Sequence, residues 1–494
     1  MSRKTAVLVV SLSLLFSCVT GAPPTVKLDD ATVIGFNAGL NDRFLGIPFA
    51  KPPVGALRLQ LPQAILHFSG VINATSFGNQ CIQQTIITPN VPSNFPPEVE
   101  AFIAPAAAPP DAPQSEDCAL NINVIVPAGA KPRDNFPVAV VRGYQVGSNA
   151  VQPGETIVNR SIELGQPIIF VSMNYSVPPA FGFLGGSDIQ QAGLGNLGLQ
   201  DQREALRWVQ KHIAAFGGDP SKVTIFGESA GSQAVLFQMV TNGGDTEGLF
   251  RAGWMESGSA LPTDDFENLQ PTFDFIVSET GCAERKIAIS AAMDKTPTFL
   301  SFQLLTGIEH TVDAACDGVF LEDGPQKLVL DGSIANIPFV VGTLFSLAPL
   351  NITGSTRSIL KSNYFPTASD ADIQRLLELY PADPAAGSPF GTGDANAFTP
   401  EYKRLAAFQG DFIFRAPARF LLNQRASKQV AAPSRDKIPG LGATHSTELG
   451  NIFGGGDLAD FFVRFVNTLD PKATDTFRRE AMAFVTQLGL AHPL

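Results

Sequence analysis

Runs of consecutive apolar residues recur along the chain, with more polar stretches between them. Four of these runs, at residues 138–141, 168–173, 223–226 and 337–341, have the length of β-strands. They are nearly continuous in apolar residues rather than alternating, which is typical of strands buried on both faces of a parallel sheet. The pattern therefore predicts a sheet that is covered on both sides.

The segment between the second and third runs has a helical pattern. Within residues 201–216, Leu206, Val209 and Ile213 follow one another at spacings of three and four, which indicates an amphipathic helix. Residues 217–220, Gly-Gly-Asp-Pro, predict its end. A strand, a helix and a further strand form a βαβ unit, so we predict an α/β fold with a mostly parallel sheet.

The composition agrees with a large buried core. Apolar residues make up 44% of the 494 residues and charged residues 16%, which argues against a disordered chain. A net charge of −12 disfavours nucleic acid and anionic membranes as partners. At roughly 150 residues per domain, the length would suggest three domains, although a single enlarged α/β domain is also compatible with it.

The N-terminal segment, residues 1–21, has the pattern of a secretory signal peptide. Arg3 and Lys4 precede an apolar stretch at residues 6–16, and small residues follow, which places cleavage after Gly21. The alternative is a buried N-terminal strand. The apolar stretch is too short to span a bilayer and no other run of 18 apolar residues occurs, so a secreted, extracellular protein without a transmembrane segment is expected.

The cysteines and the glycosylation sequons are consistent with an extracellular protein. Four cysteines remain after cleavage, and they predict two disulfides with three alternative pairings, of which adjacent pairing is the simplest: Cys81, Cys118, Cys282 and Cys316. Candidate glycosylation sites are Asn73, Asn159 and Asn351. A fourth sequon, at Asn174, follows an apolar strand-like run and is expected to be inaccessible.

The segment from Cys81 to Cys118 carries eight prolines and few charges. We predict a long surface loop without regular secondary structure. Two interpretations remain open, a mobile flap and a rigid decorated loop.

The sharpest local motif is Gly-Glu-Ser-Ala-Gly at residues 227–231, between the third apolar run and a helical stretch. Glycines two positions before and after Ser229 allow a tight strand-to-helix turn that projects the serine hydroxyl above the sheet edge. The N–H of Ala230, at the positive end of the following helix, is placed to stabilise an oxyanion. The motif predicts that Ser229 is a nucleophile.

A serine nucleophile needs a base, and the chain has five histidines: His67, His212, His310, His445 and His492. We assign the base to His445, which lies far downstream in a glycine-bounded loop at residues 440–450. Serine before histidine is the chain order of α/β-hydrolases.

Several further segments extend this likeness: residues 44–55 (FLGIPFAKPPVG), 115–121 (SEDCALN), 195–202 (GNLGLQDQ) and 226–232 (FGESAGS). With these segments the chain resembles the type-B carboxylesterase and lipase family of α/β-hydrolases, and most of all its secreted fungal lipases and esterases. The resemblance implies one α/β-hydrolase domain over residues 22–494, with Ser229 as nucleophile and His445 as general base. It also implies a Cys81–Cys118 disulfide that closes a lid or flap, and a bridge from Cys282 to a later cysteine, here Cys316.

Two departures from the family pattern affect the chemistry. After the strand at residues 138–141, the family has a run of three glycines whose N–H groups build most of the oxyanion hole. Only Gly143 of that run can be matched here. Loss of one such donor costs about 3 kcal/mol of transition-state stabilisation.

The second departure concerns the acid of the catalytic triad, which the family places after the strand at residues 337–341. No Asp or Glu occurs between Asp331 and Asp370. Glu448 is a candidate substitute, although its position only three residues after His445 favours another orientation. The residue equivalent to Glu228 is usually structural in this family.

These features support three hypotheses. The first is a secreted serine hydrolase that cleaves small-molecule or lipid esters, with the choice between esterase and lipase open. The second is a catalytically impaired relative that acts as a binding module. The third is an incomplete gene record of an active esterase. No cofactor and no metal are expected.

Overall fold

The computed structural model describes the following residues: 22–81, 96–103, 115, 120–142, 149–150, 154–176, 182–263, 265–279, 314–343, 355–383, 393–395, 397–398, 401–425, 429–433 and 445–470. The predicted signal peptide, residues 1–21, lies outside them. So do Cys118, Gly143, Cys282 and Asn351, and most of the predicted flap.

The strands are β1 (Thr25–Leu28), β2 (Asp30–Ile34), β3 (Phe36–Asn37), β4 (Asn41–Pro48), β5 (Ser69–Asn73), β6 (Asn121–Pro127), β7 (Phe136–Arg142), β8 (Ile169–Met173), β9 (Gly218–Glu228), β10 (Ala252–Glu256), β11 (Phe339–Thr343) and β12 (Gln429–Pro433). Within the described residues they form a nine-stranded sheet in the order β12-β11-β10-β9-β7-β8-β6-β4-β3, and a three-stranded sheet in the order β1-β2-β5. The six strands from β12 to β8 are parallel, and β6, β4 and β3 are antiparallel to their neighbours.

The α-helices are α1 (Pro97–Ile103), α2 (Gly154–Glu163), α3 (Ser187–Gln191), α4 (Leu197–His212), α5 (Ala230–Val240), α6 (Gln270–Glu279), α7 (Pro325–Leu330), α8 (Thr356–Ile359), α9 (Asp370–Leu379), α10 (Tyr402–Gln409), α11 (Ala416–Gln424), α12 (Leu449–Ile452) and α13 (Asp457–Thr468). Short 3₁₀ turns occur at Gly55–Leu57, Ile213–Phe216, Thr241–Gly244 and Phe266–Leu269. Two π-helical turns, Leu360–Tyr364 and Gly410–Arg415, continue α8 and α10.

Both faces of the parallel strands β7 to β11 are buried, as the apolar runs predicted. On β7, Val138 and Val140 belong to one core cluster, and Ala139 and Val141 belong to another. Because successive side chains of a strand point to opposite faces, the two clusters lie on opposite sides of the sheet. The first includes residues of α4 and α5, and the second residues of α2 and α13.

The four predicted strands and the predicted helix are confirmed, with shifts of a few residues at their ends. The helix α4 begins at Leu197 rather than at residue 201, and its last predicted turn is the 3₁₀ turn Ile213–Phe216. Mostly parallel strands with helices on both faces establish the α/β class.

The prediction that residues 81–118 contain no regular structure is wrong in part, because α1 lies within them. Pro97 occupies its first turn, where the missing N–H costs nothing, and Glu98 and Glu100 complement the positive end of the helix. Prolines therefore begin this helix instead of preventing it.

The chain order of the strands creates a crevice beside β7. From β7 the chain proceeds to β8 on one side of it and then to β9 on the other. In open α/β sheets, ligands bind outside the carboxyl ends of the strands where the order reverses in this way. An active site is therefore expected among the residues that follow β7 and β9.

Candidate active site

Ser229 lies at the turn between β9 and α5, directly after the carboxyl end of β9. Its φ of 57° and ψ of −125° are uncommon for a residue with a Cβ, and such strain concentrates at functional sites. The turn requires glycine at 227, because a Cβ there would lie 2.1 Å from the Gly231 carbonyl oxygen. The Ser229 N–H donates to the Glu256 carbonyl oxygen of β10 at 2.8 Å, which ties the turn to the neighbouring strand.

His445 is brought to this turn from 216 residues away in sequence. Its Nε2 lies 2.7 Å from the Ser229 Oγ. The ring stacks on Phe414, which belongs to the π-helical turn Gly410–Arg415, with centroids 4.9 Å apart and an angle of 24° between the planes. The two residues predicted as nucleophile and base are therefore in direct contact.

The other nitrogen of His445 lacks a comparable partner. If Nε2 accepts the Ser229 hydroxyl, Nδ1 must carry the proton, yet it makes no hydrogen bond among the residues that the structure describes. The Glu228 Oε1 lies 3.6 Å from it. Burial lowers the pKa of His445 below its usual value, and the charge of Glu448 opposes this shift only in part. The imidazole is thus neutral near pH 7 and able to accept a proton.

Three glutamates lie close to the pair, of which Glu256 and Glu448 are buried and Glu228 is partly buried. Glu228 ends β9, Glu256 ends β10, and Glu448 precedes α12. Burial raises the pKa of Glu228 to about 7. Burial and the neighbouring carboxyls raise the pKa of Glu448 to about 7 and that of Glu256 well above its usual value. Near neutral pH the cluster therefore holds protons that exposed glutamates would have lost.

Each glutamate has one oxygen held by a donor. Ser446 Oγ donates to Glu228 Oε1 at 2.7 Å, and Trp254 Nε1 donates to Glu256 Oε1 at 2.7 Å. Ser257 Oγ donates to Glu448 Oε1. Within the described part of the chain, the second oxygens of Glu256 and Glu448 have no hydrogen-bond partner.

The sequence-predicted substitute acid, Glu448, is buried near His445 but is bonded to Ser257, and no hydrogen bond joins it to His445 in the described structure. Sequence reasoning missed Glu256 and Phe414. An acid directly after a buried apolar run was a usable signal for Glu256. Nothing in the local sequence distinguishes Phe414 from the other phenylalanines.

One of the two predicted oxyanion donors can be placed. Ala230 is the first residue of α5, so no earlier turn of the helix offers a carbonyl to its N–H. That N–H is available to an oxygen that becomes negative beside Ser229. Gly143 lies outside the described residues.

The cysteine predictions have different outcomes. Cys81 is buried and disulfide-bonded, whereas its predicted partner Cys118 lies outside the described residues, so this pairing remains a prediction. The predicted bridge between Cys282 and Cys316 is not formed. Cys316 is a free thiol whose Sγ lies 3.2 Å from the Thr263 hydroxyl, towards which it is turned.

The sequons also differ in their surroundings. Asn73 is exposed at the end of β5, and the Thr75 hydroxyl of its own sequon donates to its amide oxygen at 2.8 Å. Asn159 is half-buried in α2 and its oxygen accepts from the buried Asn41. Asn174 is buried, as expected. Asn73 is therefore the best placed of the described sequons.

No helix in the described part of the chain is long and apolar enough to cross a membrane. In the same residues, no group of three or more His, Cys, Asp or Glu side chains is arranged so that it could hold a metal ion.

Comparisons with known proteins agree with this geometry. The profile of the Carboxylesterase family matches residues 22–383. The chain is 39% identical to Lipase 4 of Diutina rugosa, with 94% of this chain and 90% of the relative aligned. It is 34% identical to a protein of Gibberella zeae named secreted triacylglycerol lipase, with 91% of this chain and 83% of the relative aligned.

A solved structure shares the fold. The crystal structure of Aspergillus niger EstA aligns with a TM-score of 0.76 and 25% sequence identity, covering 92% of this chain and 90% of that one. The fold is therefore the α/β-hydrolase fold, and the chain belongs to the carboxylesterase family, whose members are carboxylic ester hydrolases.

Proposed function

We propose that this carboxylesterase-family protein is a secreted serine hydrolase that cleaves carboxylic esters through an acyl-enzyme on Ser229. The observation that carries the proposal is the 2.7 Å contact between His445 Nε2 and Ser229 Oγ at the carboxyl end of β9. A nucleophile and a base within hydrogen-bond distance are the signature of this chemistry.

In the first half of the reaction, the Ser229 Oγ attacks the ester carbonyl carbon while its proton passes to His445 Nε2. The carbonyl oxygen becomes negative and accepts from the Ala230 N–H at the start of α5. The carbon–oxygen bond to the alcohol then breaks, and His445 returns the proton to the departing oxygen. The acid part of the ester remains bonded to Ser229.

In the second half, water replaces the alcohol. His445 takes a proton from the water as it attacks the acyl carbon, and it then gives that proton to the Ser229 Oγ as the acyl bond breaks. A neutral imidazole is required at the start of each half. The lowered pKa of His445 supports this role.

We further propose lipid acyl esters as the substrate class and the extracellular space as the compartment. Relatives of similar length are named lipases, and one of them is named a secreted triacylglycerol lipase. The signal-like residues 1–21, the disulfide at Cys81 and the exposed sequon at Asn73 are compatible with secretion.

We propose that residues 22–494 form one domain. The nine-stranded sheet supports this, since its strands range from β3 near the N-terminus to β12 beyond residue 428. The binding-module hypothesis is not favoured, because a module without catalysis has no need for the strained Ser229 turn and its contact with His445.

The test is hydrolysis of p-nitrophenyl esters of short and long acyl chains by the mature chain and by Ser229→Ala. We expect turnover by the wild type, labelling of Ser229 by a fluorophosphonate, and loss of both in the variant. Absence of turnover together with absence of label would reject the proposal for this chain. Re-sequencing the transcript across residues 141–144 and 342–345 then tests the incomplete-record hypothesis.

A further inference from the structure

Among the residues that the structure describes, no acid is hydrogen-bonded to His445 at the place where a catalytic triad would have one. No Asp or Glu occurs in the sequence between Asp331 and Asp370, which includes the stretch after β11. The buried Nδ1 of His445 has no hydrogen-bond partner among the described residues. An imidazole that must become positively charged in the reaction is better served by a nearby carboxylate.

We propose that Glu228 takes the part of the missing acid and is the positioning residue of His445. This inference rests on the serine-hydrolase function proposed above. The Glu228 Oε1 lies 3.6 Å from His445 Nδ1, on the side of the ring away from Ser229. The Ser446 hydroxyl donates to that same oxygen at 2.7 Å and so holds the carboxylate beside the ring.

The local chain geometry supports this placement. Glu228 precedes the nucleophile and Ser446 follows the base, so their hydrogen bond joins the two catalytic segments next to the contact between His445 and Ser229. Ser446 has a φ of 66°, a conformation rarely adopted by residues other than glycine. The strain at Ser446 therefore accompanies a contact that sets the position of His445 relative to β9.

The other two glutamates are directed elsewhere. Glu448 Oε1 accepts from Ser257, and Glu256 Oε1 accepts from Trp254. When ionised, Glu448 in the segment before α12 and Glu256 on β10 repel the carboxylate of Glu228. When protonated, His445 carries the opposite charge and attracts it. Of the described carboxyls, Glu228 is the one in ion-pair range of His445.

The chemistry needs only a small movement. When Nε2 takes the Ser229 proton, Nδ1 keeps its own proton and the ring becomes an imidazolium. A shift of less than about 1 Å brings the Nδ1–H to the ordinary hydrogen-bond distance of about 2.9 Å from Glu228. Because burial raises the pKa of Glu228 to about 7, only a fraction of the molecules carry the ionised carboxylate near neutral pH, and that form is the active one. It takes no proton from His445; its role is to orient the ring and stabilise its charge.

The experiment compares Glu228→Gln with a matched control, Glu204→Gln. Both side chains are 15% exposed, but Glu204 lies on α4 and pairs with Arg207. We expect Glu228→Gln to lower kcat by about a hundredfold or more with little change in KM, and Glu204→Gln to leave both unchanged. The rise of the wild-type kcat/KM profile that follows ionisation of Glu228 near pH 7 is expected to be absent from Glu228→Gln, which has no carboxyl to ionise at this position. Glu228→Asp keeps the charge and should recover part of the loss.

A second readout reports position directly. In the resting enzyme, the Nδ1 proton of His445 is followed by NMR with ¹⁵N-histidine labelling and assigned by its loss in His445→Gln. We expect its resonance to move upfield in Glu228→Gln and to stay in place in Glu204→Gln. This measurement does not require turnover, so it tests the inference even if the proposed hydrolysis is absent.

Two results would overturn the inference while leaving the proposed function intact. One is an active Glu228→Gln variant with an unchanged pH profile and an unchanged Nδ1 resonance. The other is loss of activity and displacement of that resonance in Glu448→Gln alone. Failure of the proposed function has a different signature, an inactive wild type in which Ser229 takes no label.

Discussion

The burial of Glu228 beside His445 makes the free energy of unfolding depend on pH. Burial raises the pKa of Glu228 from 4.5 to about 7. Folding therefore favours the protonated carboxyl. The stabilisation is fully present below pH 4.5, where the unfolded chain is also protonated, and it is lost as the pH rises towards the folded pKa.

The size of the effect follows from that shift. One pKa unit corresponds to about 1.4 kcal/mol, so the full difference is about 3 kcal/mol, of which about 2.5 kcal/mol falls between pH 5 and pH 8. Replacing Glu228 with glutamine removes this dependence and keeps the size of the side chain and an acceptor for Ser446. Relative to the wild type, Glu228→Gln should gain about 2 to 3 kcal/mol of unfolding free energy from pH 5 to pH 8.

The assay is urea unfolding at pH 5, 6, 7 and 8, followed by the fluorescence of Trp208 and Trp254, which are both buried. Glu267→Gln removes an exposed carboxyl and is the control. Wild-type and Glu228→Gln curves that stay parallel over this pH range would refute the reasoning. A variant that is more stable at pH 8 yet less active would show that Glu228 is kept for catalysis at the expense of stability.

Three further outcomes are expected. Phe414→Leu removes the ring stacked on His445 and should lower kcat by about tenfold, whereas an unchanged kcat would show that the stacking is incidental. Gly227→Ala places a methyl group against the Gly231 carbonyl and should abolish labelling of Ser229 by a fluorophosphonate; a fully labelled variant contradicts the close approach. Cys81→Ser should lower the unfolding free energy by about 2 to 5 kcal/mol, and Cys316→Ser should leave it nearly unchanged because that thiol is free; equal losses would contradict this distinction.

Local signals in the sequence were sufficient for the main strands and for the sharp turn at which Ser229 lies. The apolar runs at residues 138–141 and 223–226 are part of β7 and β9, because continuous apolar runs are stable only where both faces of a strand are buried. The Gly-Glu-Ser-Ala-Gly motif predicted the turn at Ser229, because its backbone conformation depends on a few adjacent residues.

Signals that depend on distant contacts were weaker. The proline-rich segment contains α1, and the expected partner of Cys282 is a free thiol turned towards Thr263. In both cases the prediction relied on composition or on spacing along the chain. The actual arrangement depends on contacts with residues that are near in space.

By itself, the sequence determined the α/β class and the family, and it singled out Ser229 and His445 as the candidate nucleophile and base. These follow from periodicity and short motifs, which act over a few residues. Only the tertiary structure decided that His445 stacks on Phe414, that Glu448 faces Ser257, and that Glu228 lies beside Nδ1. These contacts join residues up to 217 positions apart, and their geometry is set by how β9, β10 and the segment before α12 pack together, which no local pattern specifies.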